Sequence, residues 1–309
     1  MSTPMRAATV ALVAIVAAAC GGGTSTAPSK APSTQPSTAP SVAPSPTPDA
    51  CAAENLATLT AGALTVGADN PAFPPYYQPS DPAVEGSVWK IREPTNGQGL
   101  ESATAYAVAK QLGFAEDAVT WVPVPFNNAI QPGPKDFDIY LTQVSYSADR
   151  ATAVDLSDGY FDLNQAVVAN AGTPIAAVPT VAGLKPFKLG APVGTTSYTY
   201  IVDNIKPTQD PAVYDSLDAA VSALNAGQVD GIVADLPTAF FMTAVQLDNG
   251  TIVGSLPTVG EVEHFSILLE KDSPLTDCVN GALQAIKDDG TLAGIVDQWI
   301  TSQGAPELK

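Results

Sequence analysis

From residue 62 onward, short apolar runs alternate with segments whose apolar residues recur every three or four positions. Residues 62–69, GALTVGAD, read as a strand ending on an acid, and residues 118–126, AVTWVPVPF, and 137–141, FDIYL, read as two more. Between the first two, GLESATAYAVAKQLGF carries Ala105, Val108 and Leu112 at helical spacing, with Gly113 placed to end the helix. The pattern restarts after residue 170. FKLGAPVGTTSYTYIVDNI predicts a strand, a Gly-Thr-Thr turn and a helix. A second helix then starts at Ser216, stops at Gly227 and leads into a buried strand ending at Asp235. HFSILLE predicts a further strand. The helix that follows places Leu275, Val279, Leu283 and Ile286 on one face, and TLAGIVDQWI predicts a last short helix. Strand-helix alternation predicts an α/β protein with mostly parallel sheets. Two such units stand in series, and the closing strand and helices need a partner sheet.

The beginning of the chain follows a different pattern. Arg6 precedes an apolar stretch, residues 7–19, too short to span a bilayer, which ends VAAAC before GGG. Small residues before a cysteine resemble a bacterial lipobox, which marks residues 1–20 as a lipoprotein signal segment and implies cleavage before Cys20 and lipidation of its thiol. Ordinary signal-peptide cleavage after Ala19 fits the same AAA. Residues 21–50 have almost no apolar side chains and a proline every few positions. They predict an extended tether with a reach of roughly 90 Å.

Composition narrows the partners. With 13 Lys+Arg against 31 Asp+Glu, the formal net charge is −18. Nucleic acids and anionic membrane surfaces need clustered cations, so neither is an expected partner. Of three cysteines, Cys20 is accounted for by lipid. Cys51 and Cys278 remain as an even pair in an oxidising compartment: a disulfide, or two unrelated buried thiols. No His-rich or Cys-rich metal spacing and no nucleophile elbow occurs, so no metal, cofactor or catalytic residue is expected.

Ligands of open α/β sheets collect beyond the carboxyl ends of strands. Asp69, the loop holding Phe73, residues 142–147, residues 194–196 and Asp235 all occupy such ends. Arg150 is the unusual one, a rare cation at a helix start, where an anion is favoured. Taken alone, it reads as a surface partner of Asp149 or Asp155.

Six segments together resemble the extracellular solute-binding proteins of family 3, the polar amino-acid receptors of ABC importers. They are LTVGADNPAFPPYY, GLESATAYAVAKQLGF, FDIYLTQVSYSADRATAVDLSDGYF, LGAPVGTTS, ALNAGQVDGIVADLPTA and VNGALQAIKDDGTLAGIVDQW, in the family's order across nearly all of residues 51–300. The resemblance implies a two-lobed type II periplasmic-binding fold. Lobe 1 would comprise residues 51–161 and 259–309 and lobe 2 residues 162–258, joined by a two-strand hinge. It implies that Arg150 binds a ligand carboxylate with the Ser145 hydroxyl and N–H. The turn of Gly194, Thr195 and Thr196 would meet that carboxylate from lobe 2. The Gln143 carbonyl and Asp235 would take the ammonium, Phe73 and Phe126 would wall the side chain, and Asp69 would serve a basic ligand. The helix start GLESAT departs from the family's pattern and puts Glu101 at its first acid.

An amino acid is a zwitterion, so its site needs opposite charges a few ångströms apart. An arginine fork matches a carboxylate, and a helix N-terminus adds donors. The expectation is a non-catalytic monomeric lipoprotein on the outer face of the cell membrane. It would bind a polar or basic L-amino acid and deliver it to ABC permease subunits. A ligand sensor for a membrane signalling partner and a dehydratase-like enzyme are the alternatives. The single histidine, His264, falls at the predicted hinge and disfavours the enzyme.

Overall fold

The computed structural model describes residues 50–81, 83–300 and 305–309. The predicted signal peptide, Cys20 and the tether lie outside them, apart from Ala50. All described residues belong to one compact unit, Thr47–Lys309.

Two five-stranded sheets build two lobes. The first contains β1 (Leu64–Ala68), β2 (Val119–Pro123), β3 (Ile139–Tyr140), β4 (Asp155–Leu163) and β10 (Glu263–Leu269), in the order β2-β1-β3-β10-β4. The second contains β5 (Gln165–Asn170), β6 (Leu189–Pro192), β7 (Ala212–Tyr214), β8 (Gly231–Asp235) and β9 (Gly250–Ser255), in the order β7-β6-β8-β5-β9. Four of the five strands in each sheet run the same way, as expected, and one is reversed. In each sheet two ladders are parallel and two antiparallel. The reversed strand is β10 in lobe 1 and β5 in lobe 2. Each is the strand by which the chain enters its lobe from the other one, so it runs against its neighbours.

The crossover from lobe 1 to lobe 2 is abrupt, since only Asn164 separates β4 from β5. Asp162 and Leu163, expected in lobe 2, instead pair with His264 and Glu263 in the first sheet. Helices α1 (Leu100–Gln111), α6 (Thr276–Asp288) and α7 (Thr291–Trp299) cover lobe 1. Cys278, Val279, Ala282, Leu283 and Ile286 form the buried stripe of α6, close to the predicted one. Full burial of each large aliphatic side chain contributes about 1.5–3 kcal/mol. Cys51 and Cys278 are joined by a disulfide with a Cα–Cα distance of 5.4 Å, and both pack on the lobe 1 core.

The end of the chain does not stay in lobe 1, although residues 259–309 were expected there. Glu307 bridges Ser255 of β9, and Leu308, 3% exposed, enters the lobe 2 core beside Val253 and Leu256. The Ser255 N–H donates to Pro306 O at 2.9 Å, and the Val181 N–H to Lys309 O at 2.9 Å. Gly254 permits this approach, because a Cβ there would stand 2.7 Å from Pro306 O. One leucine and four carbonyl and amide partners outweigh the continuity with α7. The lobes are therefore connected three times.

Candidate functional site

Three parallel strands of each lobe point their carboxyl ends toward the other lobe, which is where open α/β sheets hold ligands. Beyond β1, β2 and β3 lie Asp69, Phe126 and Thr142–Ser145; beyond β6, β7 and β8 lie the Gly194 turn, residues 215–218 and Asp235. A cavity of about 400 Å³ separates them, and all nine predicted ligand-binding residues line it: Asp69, Phe73, Phe126, Gln143, Ser145, Arg150, Thr195, Thr196 and Asp235.

Arg150, 9% exposed, spans the two lobes. Its guanidinium donates to Ser145 O of lobe 1 and, at 2.9 Å, to Gly194 O of lobe 2, and lies 5.4 Å from the Phe126 ring centroid. The surface pairing with Asp149 or Asp155 is absent: Asp155 is bound by Lys271 at 3.2 Å. Burial lowers the Arg150 pKa, and Glu263 and Asp235 oppose that shift. A guanidinium has five N–H donors, so three remain beyond the two carbonyl bonds. More cross-lobe contacts close the cleft. Tyr76 Oη lies 3.0 Å from Thr238 Oγ1, Thr196 Oγ1 lies 3.4 Å from Ser145 Oγ, and the Phe73 and Phe241 rings lie 6.0 Å apart.

Asp235 ends β8, and its Oδ1 accepts from Gln165 Nε2 at 2.8 Å. Burial, with Glu263 next in weight, pushes its pKa up to about 8. Gln165 was not foreseen. It is 2% exposed and its amide also donates to Glu263 at 3.0 Å, while its Oε1 accepts from Ser197 at 2.6 Å. It thereby ties the acid to the returning hinge strand and to α3 (Thr196–Tyr200). Its only signal was a polar residue opening an otherwise apolar strand.

Some expected roles are already filled within the protein. The Ser145 N–H donates to Gln143 O at 3.1 Å, so a donor and an acceptor assigned to the ligand satisfy one another. Gln143, at φ +43°, sends both its N–H and its Nε2 to Glu101, which also accepts from Tyr160 Oη at 2.6 Å. Burial raises Glu101 to about 7 in spite of these donors. The Thr195 hydroxyl caps α3 by accepting from the Tyr198 N–H at 3.2 Å and donates to Pro192 O at 2.8 Å. Phe126 faces Arg150, and Phe73 faces Phe241, so the two do not stack on each other. Asp215 and Asp218, which line the same cavity, were missed. They follow a strand end, a rule already applied to Asp69 and Asp235.

Two α/β lobes closing on a polar cavity define a receptor of the type II periplasmic-binding class, and solved structures share this fold. An ancestral arginine-binding protein bound to arginine superposes with a TM-score of 0.61 at 27% identity, covering 78% of this chain and 99% of that one. Residues 64–302 match the bacterial extracellular solute-binding proteins, family 3, and the chain belongs to that family. It is 29% identical over 210 residues to ABC transporter arginine-binding protein 1 of Escherichia coli (strain K12), covering 65% of this chain and 81% of the relative. It is 26% identical over 221 residues to ABC transporter glutamine-binding protein GlnH of Bacillus subtilis (strain 168), covering 70% and 78%.

Proposed function

We propose that this protein captures a polar or basic L-α-amino acid between its lobes and delivers it to an ABC importer, without catalysing a reaction. Lipidated Cys20 and the tether hold the monomeric receptor outside the membrane. The observation carrying the ligand assignment is that one cavity brings Arg150 of lobe 1 and Asp235 of lobe 2 together. The ligand carboxylate takes donors left on Arg150, with the Ser145 hydroxyl and Thr196 beside it. The ammonium takes Asp235, whose carboxyl group is made hard to ionise by burial and gains a counter-charge from the ligand. Phe73 and Phe126 flank the side chain. Because the two charges of the ligand engage different lobes, binding favours closure. The named relatives are binding proteins, which supports the non-catalytic reading.

Calorimetric titration against a panel of L-amino acids tests this. Arg150→Ala is expected to weaken binding by about 2–5 kcal/mol, roughly 30- to 5,000-fold. If no amino acid binds the unaltered protein, or Arg150→Ala binds as well as it does, the assignment is wrong.

A further inference from the structure

The cavity holds more negative charge than a zwitterion can answer. Among the described residues, its lining has four carboxylates, Asp69, Asp215, Asp218 and Asp235, and a single cation, Arg150. In an amino-acid site, Arg150 matches the α-carboxylate and Asp235 the α-ammonium, so these four charges balance. Asp69, Asp215 and Asp218 are left over.

Part of the surplus faces itself across the cleft. The charges that act on Arg150 are Glu263 and Asp235, whereas the one that acts on Asp69 is Asp218, from the opposite lobe. Asp69 is partly buried, and its Oδ1 accepts from the Asn70 N–H at 2.7 Å. Burial raises its pKa, with Asp218 adding to the shift. Asp218 stands exposed in the first turn of α4 (Leu217–Asn225), and its Oδ1 accepts from Gln246 at 3.1 Å. Asp215 is exposed too, just before the Ser216 cap, and its backbone oxygen receives Asn127 Nδ2 of lobe 1 at 3.4 Å. Closure therefore brings carboxylates of both lobes to the same cavity, where Arg150 is the one cation among the described residues that line it. Like charges brought together across a closing cleft oppose closure unless a cation enters between them.

Resting on the amino-acid reading above, we infer that the ligand is a dibasic amino acid. Its side-chain guanidinium or ammonium is held between Asp69 of lobe 1 and Asp218 of lobe 2. Asp215 adds negative potential at the mouth. Asp218 is then a specificity-determining residue: it acts on the end of the side chain and has no part in holding the α-carbon groups. A neutral side chain of equal length leaves the carboxylates facing each other, and an acidic one adds to the repulsion.

The test is calorimetric titration of the unaltered protein, Asp69→Asn and Asp218→Asn with L-arginine, L-lysine, L-citrulline, L-glutamine and L-glutamate. L-Citrulline has nearly the shape of arginine without its charge. Arginine or lysine is expected to bind at least about 30-fold tighter than citrulline or glutamine, with glutamate weakest. Asp69→Asn should weaken the cationic ligand by about tenfold or more. Asp218→Asn, more exposed, should weaken it by about three- to tenfold, and less at high salt. Both variants should leave glutamine and citrulline binding no weaker and make it tighter where it is measurable, because each removes a carboxylate that a neutral side chain leaves unanswered. Citrulline equalling arginine, or Asp218→Asn leaving arginine unchanged, overturns the inference. Tight glutamine or glutamate binding without arginine or lysine overturns it while sparing the amino-acid reading; binding of no amino acid removes both.

Discussion

The two lobes share a strand count and a single reversed strand, yet they handle charge differently. In lobe 1 the ionisable groups near the cavity mostly have protein partners. Glu101, fully buried, accepts from Gln143 and Tyr160, and Arg150 donates to Ser145 O. In lobe 2, Asp235 accepts from a single amide, and Asp215 and Asp218 stand exposed at the mouth. Lobe 1 therefore offers a rigid, prearranged half-site. Lobe 2 brings carboxylates with fewer protein partners. The lobes also fasten their outlying segments differently. Lobe 1 holds the start of the globular chain by a covalent bond, Cys51–Cys278. Lobe 2 holds residues 305–309 by a buried leucine and backbone bonds.

The most damaging test of this contrast falls on the covalent side. Replacing Cys51 and Cys278 by serine opens a loop of 227 residues and is expected to cost roughly 4–5 kcal/mol of stability. Affinity measured below the lowered transition should hold within about twofold, since the bond is part of the lobe 1 core and remote from the cavity residues. Calorimetric melting with parallel titration checks both. A large loss of affinity at low temperature would show that the staple shapes the site as well as the lobe.

A smaller effect is expected from the non-covalent side. Leu308→Ala removes a side chain 3% exposed and should destabilise the protein by about 2–3 kcal/mol, the lower part of the range for buried leucines. Hydrogen exchange should quicken in β9 and its neighbours and leave β1 and α6 protected. Uniform quickening in both lobes would mean that they unfold as one unit.

The smallest effect concerns protons. The Asp235 carboxyl is raised to about 8, so in the empty protein it holds its proton below that pH, whereas in the unfolded chain it has lost it above about 3.8. Its contribution to stability is therefore fully present below pH 3.8 and is lost as pH rises toward 8. Ligand binding has the opposite sign. The ammonium needs the carboxylate, so affinity should rise with pH up to about 8, by at most about tenfold per unit, or about 1.4 kcal/mol. At pH 6, titrations in buffers of different ionisation enthalpy should reveal up to one proton released per ligand, and Asp235→Asn should abolish the release. Buffer-independent heats in the unaltered protein would contradict this assignment.

Much of this contrast was legible in the sequence. The strand ends that build the cavity were visible as apolar runs closing on Asp69 and Asp235 and as the Gly194 turn. What escaped depended on long-range packing. Glu101 stands in a helix at an apparently polar position, and its burial follows from Gln143 and Tyr160, 42 and 59 residues away. Helix α1 also buries Ser102 and Thr104, whose hydroxyls bond backbone carbonyls at 2.6 and 2.7 Å, so its apolar stripe understated its buried face. The bond between Ser145 and Gln143 reflects a local backbone geometry that no residue pattern announces. Segment 305–309 has one leucine and a proline, too short a pattern to display a period. Asp215 and Asp218 were within reach, because they obey the strand-end rule, but their place across from Asp69 needs the closed cleft.

Segment 305–309 also ties the order of synthesis to the order of completion. All five strands of lobe 2 have been made by residue 255. Strand β9 is the outer strand of that sheet, and the backbone of Ser255 finds its partners in Pro306 and Leu308. Until those residues emerge, β9 keeps an open edge at Ser255, and Val253 and Leu256 lack the leucine that covers them. An open edge beside apolar side chains is where a growing chain pairs with the wrong neighbour. Lobe 1, begun first, has its whole sheet by residue 269 and its disulfide partner by residue 278. A chain released before residue 305 would thus carry a finished lobe 1 and an unsealed lobe 2, and its aggregation would start at β9.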